Sequence, residues 1–306
     1  MRRWTAPAGR SKPFWRRHPD VTSRRGTLVF LAPWLLGFGI VGAYPLVFSF
    51  LVSLADYNPL RGGLQWTGLE NYARAFGDPR FWKSLQVTGW FVLGTIPFTT
   101  TGALVLALLL NRPMRGRGLL RAGYFLPTVV SMVVVSLVFK QVYSPFGLLN
   151  TVLRAFGADG HGWLQDPLTA LPAVMLMDVW AAVGYYTVIY LAGLQTIPAE
   201  LYEAAELAGG SGWKKHWYVT LPLLLPTTLF VVVINTIRSL QVFIEVFVMT
   251  RGGPLDATLT TVYYLYDQAF RYFDFGYASA IAYLLLAVTL GLSLIQARIF
   301  RSRVDA

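Results

Sequence analysis

The stretch Gln195-Thr-Ile-Pro198-Ala-Glu200-Leu-Tyr-Glu203-Ala204-Ala205-Glu206-Leu-Ala-Gly209-Gly210-Ser211-Gly212-Trp213-Lys-Lys-His216-Trp217-Tyr-Val219-Thr-Leu221-Pro222 lies between two long apolar runs. Thr196 is a good helix N-cap, Pro198 fits a first turn, Glu200 and Glu203 complement the positive end of a helix dipole, and Gly209-Gly210 is a stop. These signals predict a helix of about 12 residues, roughly 18 Å long at the α-helical rise. Ser211 can cap a second helix through Trp213–Trp217, so the stretch is expected to fold as helix–turn–helix. An interfacial helix resting on lipid would share its mild amphipathicity. Glu200, Glu203 and Glu206 are acidic where anionic lipid favours lysine, and the paired glycines permit close backbone approach, so a protein partner fits better.

Working outward, the flanking runs are Leu171–Leu194 and Leu221–Met249, and four more follow the same pattern: Thr27–Leu54, Gln86–Leu110, Leu119–Val142 and Gly276–Ile295. Each reaches the roughly 20 residues needed to cross about 30 Å of hydrocarbon. Because a helix satisfies its own backbone groups, the predicted fold is an all-α integral membrane protein of six spans. Composition agrees, since only 13% of the 306 residues are charged and 55% are hydrophobic, where soluble domains carry about a quarter charged. The first run is longer than the apolar core of a signal peptide and lacks a small-residue cleavage pattern, so it reads as a retained span.

Lysine and arginine mark the cytoplasmic side of such a chain. Seventeen fall in the N-terminal stretch, residues 111–121, residues 195–220 and the C-terminal tail, against seven in the alternate connections. Both termini are therefore expected in the cytoplasm. Residues 1–26 read as a basic cytoplasmic arm, 27–299 as the six-span domain and 300–306 as a cytoplasmic tail. A net charge of +11 would suggest nucleic acid in a soluble protein, but the Pro-, Arg- and Ser-containing arm has no fold to present it, and contact with anionic membrane lipid is the expectation. The chain has no cysteine, and His18, His161 and His216 are not at metal-ligand spacing, so no metal site is expected.

Charged groups inside spans are costly and mark pathways by default; here they are Lys140, Asp178, Arg238 and Glu245. In a continuous fifth helix, Asn235, Arg238, Gln241 and Glu245 share one face. Two readings stand: an ion pair with Asp178 or Glu245 that fixes helix register, or a solute site in which guanidinium and amide forks bind vicinal hydroxyls. Lys140 reads as a snorkelling scaffold residue. Trp180, Tyr185, Tyr186 and Phe243 can stack on sugar faces or simply pack helices.

The string Glu203-Ala204-Ala205, three residues, Gly209, nine residues, Val219, one residue, Leu221-Pro222 resembles the EAA loop of the membrane subunits of binding-protein-dependent ABC importers. Ala32-Pro33, Tyr44-Pro45, Gly68-Leu69-Glu70-Asn71-Tyr72 and Thr250-Arg251-Gly252-Gly253-Pro254 extend the resemblance, from about Leu28 onward, to the carbohydrate-uptake branch of maltose and glycerol-3-phosphate type. Val219 replaces the usual isoleucine, and Ala208 stands where aspartate is common.

The resemblance implies a type I importer domain in a bacterial inner membrane. Its loop helix would lie in a groove of a cytoplasmic ATPase, with Glu203 at the contact and Gly209 and Gly210 allowing the turn. The implied partners are a second permease subunit, a dimer of ATPases that binds ATP and Mg, and an extracytoplasmic solute-binding protein. No cofactor is expected in this chain, because none of its five lysines follows a glycine and a Gly-x-x-x-x-Gly-Lys-Ser/Thr cradle is absent. A single buried Arg238 favours a neutral mono- or oligosaccharide over a phosphate ester, with glycerol-3-phosphate or a polyol as the alternative. A membrane-embedded enzyme would need a constellation for which Asp178 with His161 is the pair worth naming. An ion-driven carrier would have no use for the loop, and no inverted repeat is visible.

Overall fold

The computed structural model describes residues 24–60, 62–111, 116–210 and 212–304. The arm before Arg24, Arg61, residues 112–115, the expected cap Ser211 and the last two residues lie outside the described residues. The chain forms two compact units, residues 1–51 and 52–306.

In the first unit, α1 (Arg24–Gly37) widens into a π-helical stretch at Phe38–Ala43 and continues as α2 (Tyr44–Ser53). The wide stretch precedes Pro45, which has no N–H to offer the turn before it. The first described residues, from Arg24, are already helical, inside the stretch read as the arm.

The second unit is built on α4 (Pro79–Leu110), α8 (Ala170–Gln195) and α15 (Phe275–Val304). With Phe30–Ser53 of the first helix, they give the four helices among the described residues that are long and apolar enough to cross a membrane. The expected third and fifth spans are instead broken. Helix α5 (Arg117–Val129) meets α6 (Met132–Val142) at 99° across Val130 and Ser131, whose backbones are extended, and the short α7 (Leu148–Ala155) follows before α8. Helical residues Trp213–Leu223 meet α12 (Leu225–Leu240) at 64°, where Leu224 leaves the helix before Pro226. Helix α12 stops at Leu240, and Gln241-Val242-Phe243 precede a new short helix, α13 (Ile244–Met249). The break frees the Val242 carbonyl, which accepts a hydrogen bond from the Thr260 hydroxyl at 3.2 Å. Non-helical backbone is tolerated at membrane depth when protein partners satisfy it in this way.

The all-helical expectation has one exception, an antiparallel hairpin of β1 (Ala55–Tyr57) and β2 (Leu64–Trp66). It leads into α3 (Glu70–Gly77), whose Asn71 amide donates to the carbonyls of Ser53 and Ala55 at 3.1 and 2.9 Å. Gly276, at the start of α15, admits this approach, since a Cβ there would come within 2.2 Å of the Ala55 oxygen. Arg74 pairs with Asp274 at 2.6 Å and lies 4.0 Å over the Tyr277 ring. Arg80 forks onto Asp256 at 3.0 and 3.2 Å. Asp78 caps α4 at the Arg80 N–H, 2.9 Å away, and accepts the phenols of Tyr264, in α14 (Thr261–Tyr266), and Tyr277. Burial raises the Asp78 carboxyl, but the Tyr264 and Tyr277 hydroxyls and backbone N–H groups outweigh it and hold the group below its ordinary value. Segments 55–80 and 256–277 are thereby joined into one block.

Two apolar clusters make the core. Phe91, Val174, Met177, Val246, Tyr277 and Ile281 anchor one, and Ala103, Ala107, Tyr186, Tyr190, Leu224 and Val231 anchor the other. Along α4 and the α12–α13 segment the stretch separating these sets is polar, with Thr95, Thr99, Asn235, Arg238 and Ser239. Small residues let helices approach closely, as membrane packing requires. Gly184 of α8 packs under α5, where a Cβ would fall 2.1 Å from the Tyr124 carbonyl oxygen.

Candidate functional site

The loop between α8 and α12 is a closed unit. Its first helix, α9, spans Ala199–Leu207, nine residues and not twelve. The expected N-cap, Thr196, instead turns its hydroxyl back to the Gly193 carbonyl at 2.8 Å and finishes α8, because Pro198 holds an extended ψ of 137° and delays the next helix. At the other end, Gly210 N–H donates to the Ala205 carbonyl at 2.8 Å and Gly209 N–H to that of Glu206 at 2.9 Å. Gly209 has φ +78°, so this is a Schellman closure with its left-handed glycine in place. A Cβ on Gly210 would lie 2.8 Å from the Ala205 oxygen, so both glycines are demanded by geometry.

The second arm is longer than the expected Trp213–Trp217. Helix α10 (Trp213–Lys215) runs through a π-helical turn at His216–Thr220 into α11 (Leu221–Leu223), and it carries Val219, Leu221 and Pro222. The buried Thr220 hydroxyl is shared with Tyr202 of α9 at 3.1 Å and His216 at 3.3 Å, and Lys215 pairs with Glu206. The arms are thus cross-braced, while among the described residues their outer face stays uncovered: Glu203 and Ala204 are exposed, and Leu207, Trp213 and Tyr218 are 92%, 81% and 76% exposed. Large exposed apolar groups rimmed by charge mark an interaction surface.

The second constellation lies within the bundle. Arg238 Nη2 donates to Asp178 Oδ1 at 2.7 Å and is 3.7 Å from Glu245 Oε1. The helix breaks after Leu240, and Glu245, in the first turn of α13, still lies within reach of Arg238. Asn235 is fully buried alongside, with Ser239 donating to its Oδ1 at 3.5 Å and meeting Thr95 at 3.3 Å. Gln241 does not join them; it lies exposed at the break, so the four-residue face of a continuous fifth helix does not form.

Asp178 Oδ2, Arg238 Nη1 and Asn235 Nδ2 are buried without a hydrogen-bond partner among the described residues. Arg238 also lines a cavity of about 380 Å³ between the α5–α6 break (Pro127, Thr128, Val130, Met132) and Ala181, Tyr185 and Tyr186 of α8. The cavity itself therefore offers the Arg238 side chain beside the Tyr185 and Tyr186 rings, while Asp178, Glu245 and Asn235 are buried next to Arg238 and do not line it. Thr95 and Ser239 also join this cluster, and the helical spacing of Thr95 and Thr99 on α4 is the sequence signal that points to Thr95.

His161 does not approach Asp178. It meets Asp166 at 3.3 Å and Thr169 at 3.1 Å, so the one pair considered for catalysis is not assembled. Lys140 donates to the Val248 carbonyl at 3.2 Å and ties α6 to α13, in keeping with its scaffold reading.

The sequence profile of the family described as binding-protein-dependent transport system inner membrane component matches residues 100–305. The lactose transport system permease protein LacF of Rhizobium radiobacter is 37% identical over 90% of this chain and 94% of its own length. The trehalose/maltose transport system permease protein MalF of Thermococcus litoralis is 34% identical over 85% of this chain and 88% of its own. Among solved structures, a chain of a bacterial alginate ABC transporter, in complex with an alginate pentasaccharide-bound periplasmic protein, superposes with a TM-score of 0.82 at 21% identity, covering 96% of this chain and 99% of that one.

Proposed function

Because the chain belongs to the binding-protein-dependent transport system inner membrane components, we propose that it is the permease subunit of an ATP-driven importer for a neutral mono- or oligosaccharide. The observation that carries this is the cross-braced loop, whose Schellman-closed α9 presents Glu203, Ala204 and Leu207 on a free face. A rigid element of this kind transmits force, where a flexible loop would absorb it. ATPase closure, driven by ATP and Mg in a dimer of partner chains, would move α9 and with it α8 and α12. A second permease subunit completes the pathway, and an extracytoplasmic solute-binding protein delivers the solute. Counting each bent pair as one crossing supports six spans, and the seventeen-to-seven split of lysine and arginine supports cytoplasmic termini and a cytoplasmic loop.

The solute is read from relatives and chemistry together. LacF and the trehalose/maltose protein are named for sugars, and the unpartnered atoms of Asp178, Asn235 and Arg238, buried here, would match a sugar's hydroxyls once the bundle opens to them. Arg238 already faces two carboxylates, which disfavours a phosphate ester at the same position.

Co-purification from native membranes tests the reading. Wild-type protein should bring down an ATPase and a second permease, and a Glu203→Lys/Gly209→Trp variant should lose the ATPase while keeping the permease. Absence of any ATPase from the wild type after mild crosslinking would sink it.

A further inference from the structure

Six aromatic rings form a continuous ladder between the charged cluster and the opposite end of the bundle from the loop. Phe243 and Phe247 both contact Tyr266, with centroids 5.1 and 5.3 Å away. Tyr266 meets Phe270 at 5.1 Å, Phe270 meets Phe275 at 5.7 Å, and Phe275 meets Tyr57 at 6.2 Å. The ladder is open on one side, since Phe270 is 57% and Phe247 38% exposed.

Both ends are polar. Phe243 is two residues from Glu245 of the Arg238 cluster. Tyr57 and Phe275 are next in sequence to Asp56 and Asp274, which line a cavity of about 730 Å³ together with Glu70, Gln268, Arg74 and Arg80. An acyl chain has no use for carboxylates and amides at its two ends. A saccharide needs both kinds of surface, because its C–H faces stack on aromatic rings and its hydroxyls bond to carboxylates and amides.

We propose that this ladder is a saccharide track, passing the solute ring by ring from the Asp56–Gln268 cavity to the Arg238 cluster. The inference rests on the importer reading above and extends it to a path and a stacking chemistry. Edge-to-face and tilted rings present successive faces that a pyranose can leave and re-engage, so binding along the track is spread over many weak contacts and does not trap the solute.

The test uses the complete transporter reconstituted with its partner subunits and solute-binding protein, with radiolabelled lactose, maltose and maltotetraose as probes. For whichever probe the wild type imports, Phe270→Leu and Phe247→Leu should each lower uptake at sub-saturating probe by roughly three- to tenfold, the range of one aromatic contact. Phe270→Trp should restore uptake, and ATPase stimulation by loaded binding protein should persist in all three variants. Wild-type uptake in the Leu variants would overturn the track. So would equal loss in the Leu and Trp variants, or loss of ATPase stimulation, since either identifies a packing role. Failure of the wild type to import any of the three probes would instead strike the saccharide reading itself.

Discussion

Replacing Arg238 with methionine removes the one cation facing two buried carboxylates. Asp178 is 2% exposed and Glu245 7%, and the guanidinium reaches them at 2.7 and 3.7 Å. At an effective dielectric of 20, each such pair near 4 Å carries about 4 kcal/mol of attraction, most of it offset by desolvation. Breaking a buried pair from one side strands the partners and costs about 3–5 kcal/mol. Arg238→Met should therefore lose that much stability in denaturant unfolding followed by tryptophan fluorescence in lipid nanodiscs. The triple variant Arg238→Met/Asp178→Asn/Glu245→Gln has no charge left to strand and should recover to within about 1 kcal/mol of wild type. Uptake then separates the two roles of the cluster: a stable triple variant that cannot import points to solute binding, and one that imports normally points to scaffolding. A single variant as stable as wild type, or a triple variant no better than the single, would refute the electrostatic reasoning.

Gly210→Ala should disturb the loop locally, by driving a Cβ against the Ala205 oxygen, while Gly209→Ala forces an alanine into left-handed backbone at about 1–2 kcal/mol; both should reduce ATPase co-purification with little change in the unfolding of the bundle, and undiminished co-purification would count against the coupling surface. Gly184→Ala places a methyl 2.1 Å from the Tyr124 oxygen and should cost about 1–3 kcal/mol in the same unfolding assay as α5 is pushed from α8; a neutral result would show that this contact yields freely. Asp78 has a depressed carboxyl pKa, so its contribution is complete above the unfolded value of about 3.9 and is lost as pH falls through its lower folded value. The protection of residues 55–80 from hydrogen exchange, taken relative to the intrinsic rate at each pH, should accordingly fall below about pH 4, and Asp78→Asn should flatten that response; an identical response in the variant would remove Asp78 as its source.

Long apolar runs were legible because crossing hydrocarbon demands length and composition, which are properties of one segment. Runs two, four and six appear as α4, α8 and α15 for that reason. The paired glycines at 209 and 210 were equally legible, since a left-handed residue favours glycine whatever surrounds it. Thr196 was misread because two helix ends compete for one threonine, and Pro198 decides the competition in favour of α8. The breaks at Val130-Ser131 and Gln241–Phe243 were not legible. No proline or glycine occupies either position, and periodicity treats an interrupted helix as continuous.

The membrane as solvent, the loop as a turn-closed helical element and the family of the chain can all be read along the chain, because each rests on local composition or fixed spacing. Which polar residues meet depends on the packing of distant segments. Arg238 reaches Asp178 and Glu245, while Gln241 is left outside at a break whose released Val242 carbonyl is satisfied by Thr260. Arg74, Asp78 and Arg80 find Asp274, Tyr277 and Asp256 far along the chain because Gly276 lets the hairpin approach. Such pairings depend on where helices bend and how closely backbones approach, and the neighbours that set both come from distant parts of the sequence.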